Sequence, residues 1–160
     1  MFRKFILGLF ALVTMLFVLD SSAQMVPYGL PIGVDAAKKL AAAAITEARK
    51  NNWTMAVAVT DINGDLVYFE KMDGTQTGSV KVAIGKARSA ALFKRPTKAF
   101  QDALAAGGEG LRVLGIEGAV PVEGGLPLLL DGKIIGAIGC SGGTSQQDGV
   151  AAKAGAEALK

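Results

Sequence analysis

Histidine is absent from the 160 residues, and cysteine occurs once, at Cys140. The first absence removes whole classes of chemistry. Without imidazole there is no ordinary Ser-His-Asp or Cys-His nucleophile, no usual catalytic zinc site and no histidine-ligated haem. A single cysteine excludes an internal disulfide. Net charge is also thin, at +3, which does not argue for a nucleic-acid partner. There is no Walker loop, and no GxGxxG stands between a strand and a helix.

What is present begins with an apolar N-terminus. Arg3 and Lys4 precede the apolar run Phe5 to Leu19, and Ser21-Ser22-Ala23 offers small residues where a signal peptidase reads. The run is 15 residues long, short of the roughly 20 that a membrane span needs. Residues 1–23 are therefore expected to be a signal peptide, and residues 24–160 a single domain that is periplasmic or secreted and leaves no membrane segment behind.

The stretch Glu123 to Asp148 organises the rest. Leu126–Leu130 and Lys133–Cys140 are apolar runs joined by Asp131-Gly132, a pair suited to the positive φ angles of a two-residue hairpin turn. After Lys133 the second run carries no charge on either parity, so a strand buried on both faces is expected. Ser141-Gly142-Gly143 then leads into Ser145-Gln146-Gln147-Asp148, which reads as a capping box opening the last helix. Glycines beside a helix start let backbone N–H groups approach an oxyanion.

Upstream, Asp35 is expected to cap a helix whose Ala37, Leu40, Ala41, Ala44, Ile45 and Ala48 fall at helical spacing. Met55–Thr60 and Leu66–Lys71 form a second hairpin. Its loop, Asp61 to Asp65, lacks the glycine position and the glutamate of a calcium loop and reads as a plain turn. A helix follows over Ser79–Phe93, with Lys86 emerging from an apolar stripe, then a shorter one capped by Thr97. Lys86, Arg88, Lys94, Arg95 and Lys98 make a basic segment, either a solvated surface or a seat for carboxylates. Leu111 to Val120 reads as loop with a short strand. The last helix, about Gln146 to Leu159, is expected to turn Val150, Ala151, Ala154, Gly155 and Ala158 toward the sheet. Two hairpins flanked by helices give an α/β sandwich with a mostly antiparallel sheet. Gly139-Cys140-Ser141-Gly142-Gly143 matches GxSxG only formally, since nothing of histidine type can activate Ser141.

Four segments carry a family resemblance: AVAVTDINGDLVYFEKMDG (Ala56–Gly74), KARSAALFKRPT (Lys86–Thr97), GGLPLLLDGKIIGAIGCSGG (Gly124–Gly143) and QDGVAAKAGAEAL (Gln147–Leu159). In order and spacing the chain resembles the GlcG/HbpS-like family of haem-binding and haem-degrading proteins, related to the C-terminal domain of the PduO corrinoid adenosyltransferases. The resemblance implies a three-layer α/β/α sandwich, assembly as a homo-oligomer, and a pocket where strand ends, the long middle helix and a neighbouring subunit meet. Haem is the implied cofactor, ahead of a corrinoid. Met72 and Asp73 fall on the family's RMDG motif, with Lys71 in place of its arginine. Lys86 and Thr97 fall on the middle motif, and Gly124, Gly125, Ser141 and Asp148 on the last two.

On this reading Met72 and Phe93 contact the ring, while Lys86 and the glycine and serine backbone hold its carboxylates. With no histidine, iron would meet Met72, Tyr68, Cys140, Lys86 or the Thr97 hydroxyl, or the macrocycle would be held by propionates and faces alone. Weak axial ligation favours a carrier or sensor over an efficient oxygenase. Two alternatives stand beside it: a binder or enzyme for a small organic acid of the glycolate type, and a ligand-free assembly or signalling subunit.

Overall fold

A computed structural model describes residues 25–159, so the expected signal peptide lies outside the described residues. Among the described residues no helix is long and apolar enough to cross a membrane. In chain order the elements are α1 (Val34–Lys50), β1 (Ala56–Thr60), β2 (Leu66–Lys71), α2 (Ser79–Phe93), α3 (Thr97–Ala105), a 3-10 helix (Gly108–Gly115), β3 (Gly125–Leu130), β4 (Lys133–Ser141) and α4 (Ser145–Glu157).

The strands form one antiparallel sheet in the order β2-β1-β4-β3. β4 runs through the middle, and from Ile134 to Ser141 every residue is buried, as its lack of charge requires. Asp131 and Gly132 both take positive φ at the β3–β4 turn. In the β1–β2 loop the Asp61 carboxylate accepts the N–H groups of Asn63 at 2.8 Å and Asp65 at 3.0 Å. The aspartate closes a turn on itself.

Strand alternation sorts two unlike cores. Val57, Val59, Ile138 and Cys140 face α1 and α4 with Leu40, Ile45 and Leu128, the larger aliphatic layer. The other face is built almost wholly of small residues: Ala56 and Ala58 meet Ala83 and Ala87 of α2, and Ala137 meets Ala90 and Ala91. With so little side chain between them, the α2 backbone comes down onto β4 at Gly139. A Cβ there would overlap the Ala83 carbonyl and lie 2.5 Å from the Ala87 nitrogen.

The lead-in before α1 is tied down as well. Pro27 and Gly29 exchange backbone hydrogen bonds with Ile134 at 2.9 and 2.7 Å. The Tyr28 hydroxyl donates to the Ala91 carbonyl at 2.8 Å, serving an orphan acceptor in the last turn of α2, and the Lys94 ammonium sits 4.0 Å from the Tyr28 ring centroid.

Several local expectations shift. Gly33, not Asp35, is the N-cap of α1, and Asp35 sits in the first turn, where its charge suits the helix dipole. The capping box of α4 is Thr144 with Gln147, one residue earlier than the serine reading. Residues 108–115 form a 3-10 helix and no strand occurs over 111–120. Leu111 and Leu114 eclipse each other there at i, i+3 and only Val113 is buried. In α4 the inward set is Asp148, Ala151, Ala152 and Gly155, leaving Val150 exposed. The phase of that helix follows its one inward charge.

Candidate functional site

Lys86 and Asp148 are drawn together under the sheet. Lys86 lies on the buried stripe of α2, its side chain 1% exposed, and Asp148 on the first turn of α4, its side chain 4% exposed. The Lys86 Nζ donates to Asp148 Oδ2 at 2.7 Å and to the Cys140 carbonyl at 3.1 Å. Asp148 Oδ1 accepts the Gly143 N–H at 3.0 Å. Burial pushes the Asp148 carboxyl above its usual range, while the Lys86 ammonium and the Gly143 and Gly142 N–H groups work the other way. The pair ties α2, β4 and α4 into one knot.

Glycines make room for that knot. At Gly124, where φ is +125°, a Cβ would lie 2.8 Å from the Asp148 Cβ and 2.9 Å from the Lys86 Nζ. At Gly125 it would meet the Lys86 carbonyl and stand 2.6 Å from the Thr97 methyl. The Gly125 N–H donates to the Thr97 hydroxyl oxygen at 2.9 Å. Ser141 is paired with Ser79 across 3.2 Å. The structure thus brings Lys86, Thr97, Gly124, Gly125 and Asp148 together, with Ser141 at the adjoining strand end. In the glycine-lined mouth the Gly143 N–H is taken by the chain's own Asp148 carboxylate.

Just outside Gly124 and Gly125 lies a cleft of about 300 Å³. Pro96 and Leu126 supply its apolar wall, Gly149 its floor on α4, and Lys98, Glu123 and Lys153 its charged rim. A second hollow of about 390 Å³ lies under the lead-in, lined by Leu30, Pro31, Ile135 and Leu159. None of the expected site residues reaches it, so the cleft at Gly124 is the candidate site.

Other expected residues fall elsewhere. Met72 follows β2 and packs against the α1/α4 core, its sulfur accepting the Met55 N–H at 3.3 Å. Asp73 is exposed in the following turn. Phe93 ends α2 and stacks edge-on against Phe100 at 5.3 Å. Met72 precedes α2, and the helix runs about 20 Å by helical rise from Ser79 to Phe93. Of the five side chains that could replace histidine on iron, Lys86, Thr97 and Cys140 are buried, whereas Met72 and Tyr68 are half-buried on β2 and its end. The Tyr68 hydroxyl donates to Glu70 at 3.2 Å.

Burial also pushes the Cys140 thiol well above its usual value. The native protein is expected to leave a disulfide reagent such as dithionitrobenzoate unreduced over hours, and to react stoichiometrically once unfolded in guanidinium. Fast native labelling would show that this strand opens.

Sequence reasoning reached Lys86 as a possible anion contact but missed that its anion is Asp148. The signal was present: Asp148 shares the 3.6-residue stripe with Ala151, Ala152 and Gly155, and a lone carboxylate on a small-residue stripe calls for a buried cation. The cleft residues Glu123, Gly149 and Lys153 carried no such mark.

Over 105 residues the chain is 38% identical to Protein GlcG of Escherichia coli strain K12, covering 66% of this chain and 77% of that protein. A double mutant of Streptomyces reticuli HbpS superposes with a TM-score of 0.76 at 30% identity, covering 82% of this chain and 89% of that one. The structure titled PduOC:Heme Complex superposes at 0.72 with 26% identity, covering 81% and 95%. A family model described as "Haem degrading protein HbpS-like" matches residues 32–157, and the chain belongs to that HbpS-like family.

Proposed function

We propose that this protein is an exported, homo-oligomeric binder of haem or a related tetrapyrrole, with any haem degradation slow. The observation that supports it is likeness to a chain whose structure is a haem complex, at 26% identity over 95% of that chain. Export rests on the charged and apolar N-terminal run, and oligomerisation on the family resemblance.

The residues present fit a macrocycle gripped by an edge. Pro96 and Leu126 offer apolar contact, and the Gly124–Gly125 backbone forms part of the wall. At about 300 Å³ the cleft stands at the bottom of the roughly 300–1,000 Å³ range of small-molecule pockets. It holds part of a ring, and a neighbouring subunit would cover the rest. Bound haem would supply the redox chemistry. The chain's own contribution is shape and exclusion of water, because Lys86 is spent on Asp148 and the Cys140 thiol is sealed.

Haemin titrated into the purified protein at several protein concentrations tests this. A saturable, stoichiometric Soret shift is expected. Association that never saturates would overturn the reading.

A further inference from the structure

The charged rim of the cleft is not symmetric. Lys98 holds both oxygens of Asp102 at 2.7 Å, and Lys153 reaches Glu157 at 3.9 Å. Both are i, i+4 pairs on their own helices, so the two lysines lend the cleft their stems while their charges are answered beside it. Glu123 is different: among the described residues it enters no ion pair within 4.0 Å. Its position is nevertheless fixed. The Glu123 N–H donates to Gln101 Oε1 at 2.8 Å, and the side chain lies on α4 where a Cβ at Gly149 would come 2.5 Å from Oε1 and 3.0 Å from Cδ. Half-buried, the carboxylate has no ion-pair partner within 4.0 Å among the described residues, and Lys98, which Asp102 already holds, acts on it only from longer range.

We propose that Glu123 is the ligand-selecting group of this cleft, accepting a hydrogen bond from a ligand's ammonium group and turning carboxylates away. The assignment rests on the cleft being the ligand site. A carboxylate brought there meets a like charge in a partly desolvated wall, which disfavours it, whereas a cationic donor completes Glu123. For a tetrapyrrole the consequence is orientation: the edge without propionates enters, and the propionates stay outside the Gly124–Gly149 gap. For a small ligand the consequence is choice of class, an organic ammonium ahead of an organic acid.

The test reads the backbone amide resonances of Gly124, Gly125 and Gly149 at low ionic strength, titrated separately with butylammonium chloride and sodium acetate. Butylammonium is expected to shift all three saturably and acetate to leave them in place. In Glu123→Gln the response to butylammonium should weaken about fivefold, the scale of one partly exposed charge pair. An acetate response equal to the ammonium response, no response to either, or an ammonium response unchanged in Glu123→Gln would each overturn the assignment. Should that variant fail to fold, the two titrations of the unaltered protein decide alone. The haemin titration tests the tetrapyrrole reading separately, so the two can fail independently.

Discussion

Asp148→Leu is expected to lose about 3–5 kcal/mol of folding stability, because it strands the Lys86 ammonium in a place that is 1% exposed. Lys86→Met alone should cost a similar amount by leaving Asp148 with only the Gly143 and Gly142 N–H groups, although protonation of the carboxyl offers it a partial escape. The double variant Lys86→Met, Asp148→Leu removes both charges together and keeps most of the volume. It is expected to be far less damaged than the sum of the single variants, and a coupling energy of at least about 2 kcal/mol should appear in the cycle. Urea unfolding at pH 7 measures all four proteins. Additive losses would mean that the pair is not the knot described above, and that each side chain acts through its packing alone.

The second large effect concerns Gly139. Alanine there is expected to cost about 3 kcal/mol or more, since its Cβ meets the Ala83 carbonyl and the Ala87 nitrogen, backbone atoms that cannot swing aside. Gly155 offers the internal comparison on the opposite face. Its Cβ would first meet the tip of Ile138, a mobile methyl, with the Leu40 carbonyl at 3.0 Å. Gly155→Ala should therefore cost only about 1 kcal/mol, as Ile138 changes rotamer. Denaturant midpoints at constant slope would establish the difference. Equal losses at the two sites would show that α2 can lift from the sheet as readily as α4.

The contrast between these glycines shows how far the sequence carries. The strands and helices were legible because β4 carries no charge after Lys133 and the apolar stripe of α1 is free of charge. The Asp-Gly turn was legible from its φ requirement. Leu111 to Val120 was not, since leucines three apart serve a 3-10 helix and an irregular loop equally well. The cap of α4 slipped by one residue because Thr144 and Ser145 are both competent caps, and only the requirement that Asp148 point inward chooses between them. That requirement is tertiary. It depends on Lys86, which is 62 residues away, and no local pattern contains it. Met72 and Phe93 sit in neighbouring motifs of the chain, yet Met72 packs against the α1/α4 core and Phe93 against Phe100, contacts that motif residues alone do not announce.

The sheet order has a consequence for how the chain reaches this state. Its central pair joins the first strand made to the last, Ala56 beside Ser141, and the lead-in at Tyr28 is stitched to Ile134. β1 lacks its second neighbour and the lead-in its bridge partner until β4 exists, so no leading portion of the polypeptide can settle into a native half. Closing these long loops sets the folding rate. The β1–β2 hairpin, adjacent in sequence, is left as the early local structure, and commitment comes only with the final third of the chain.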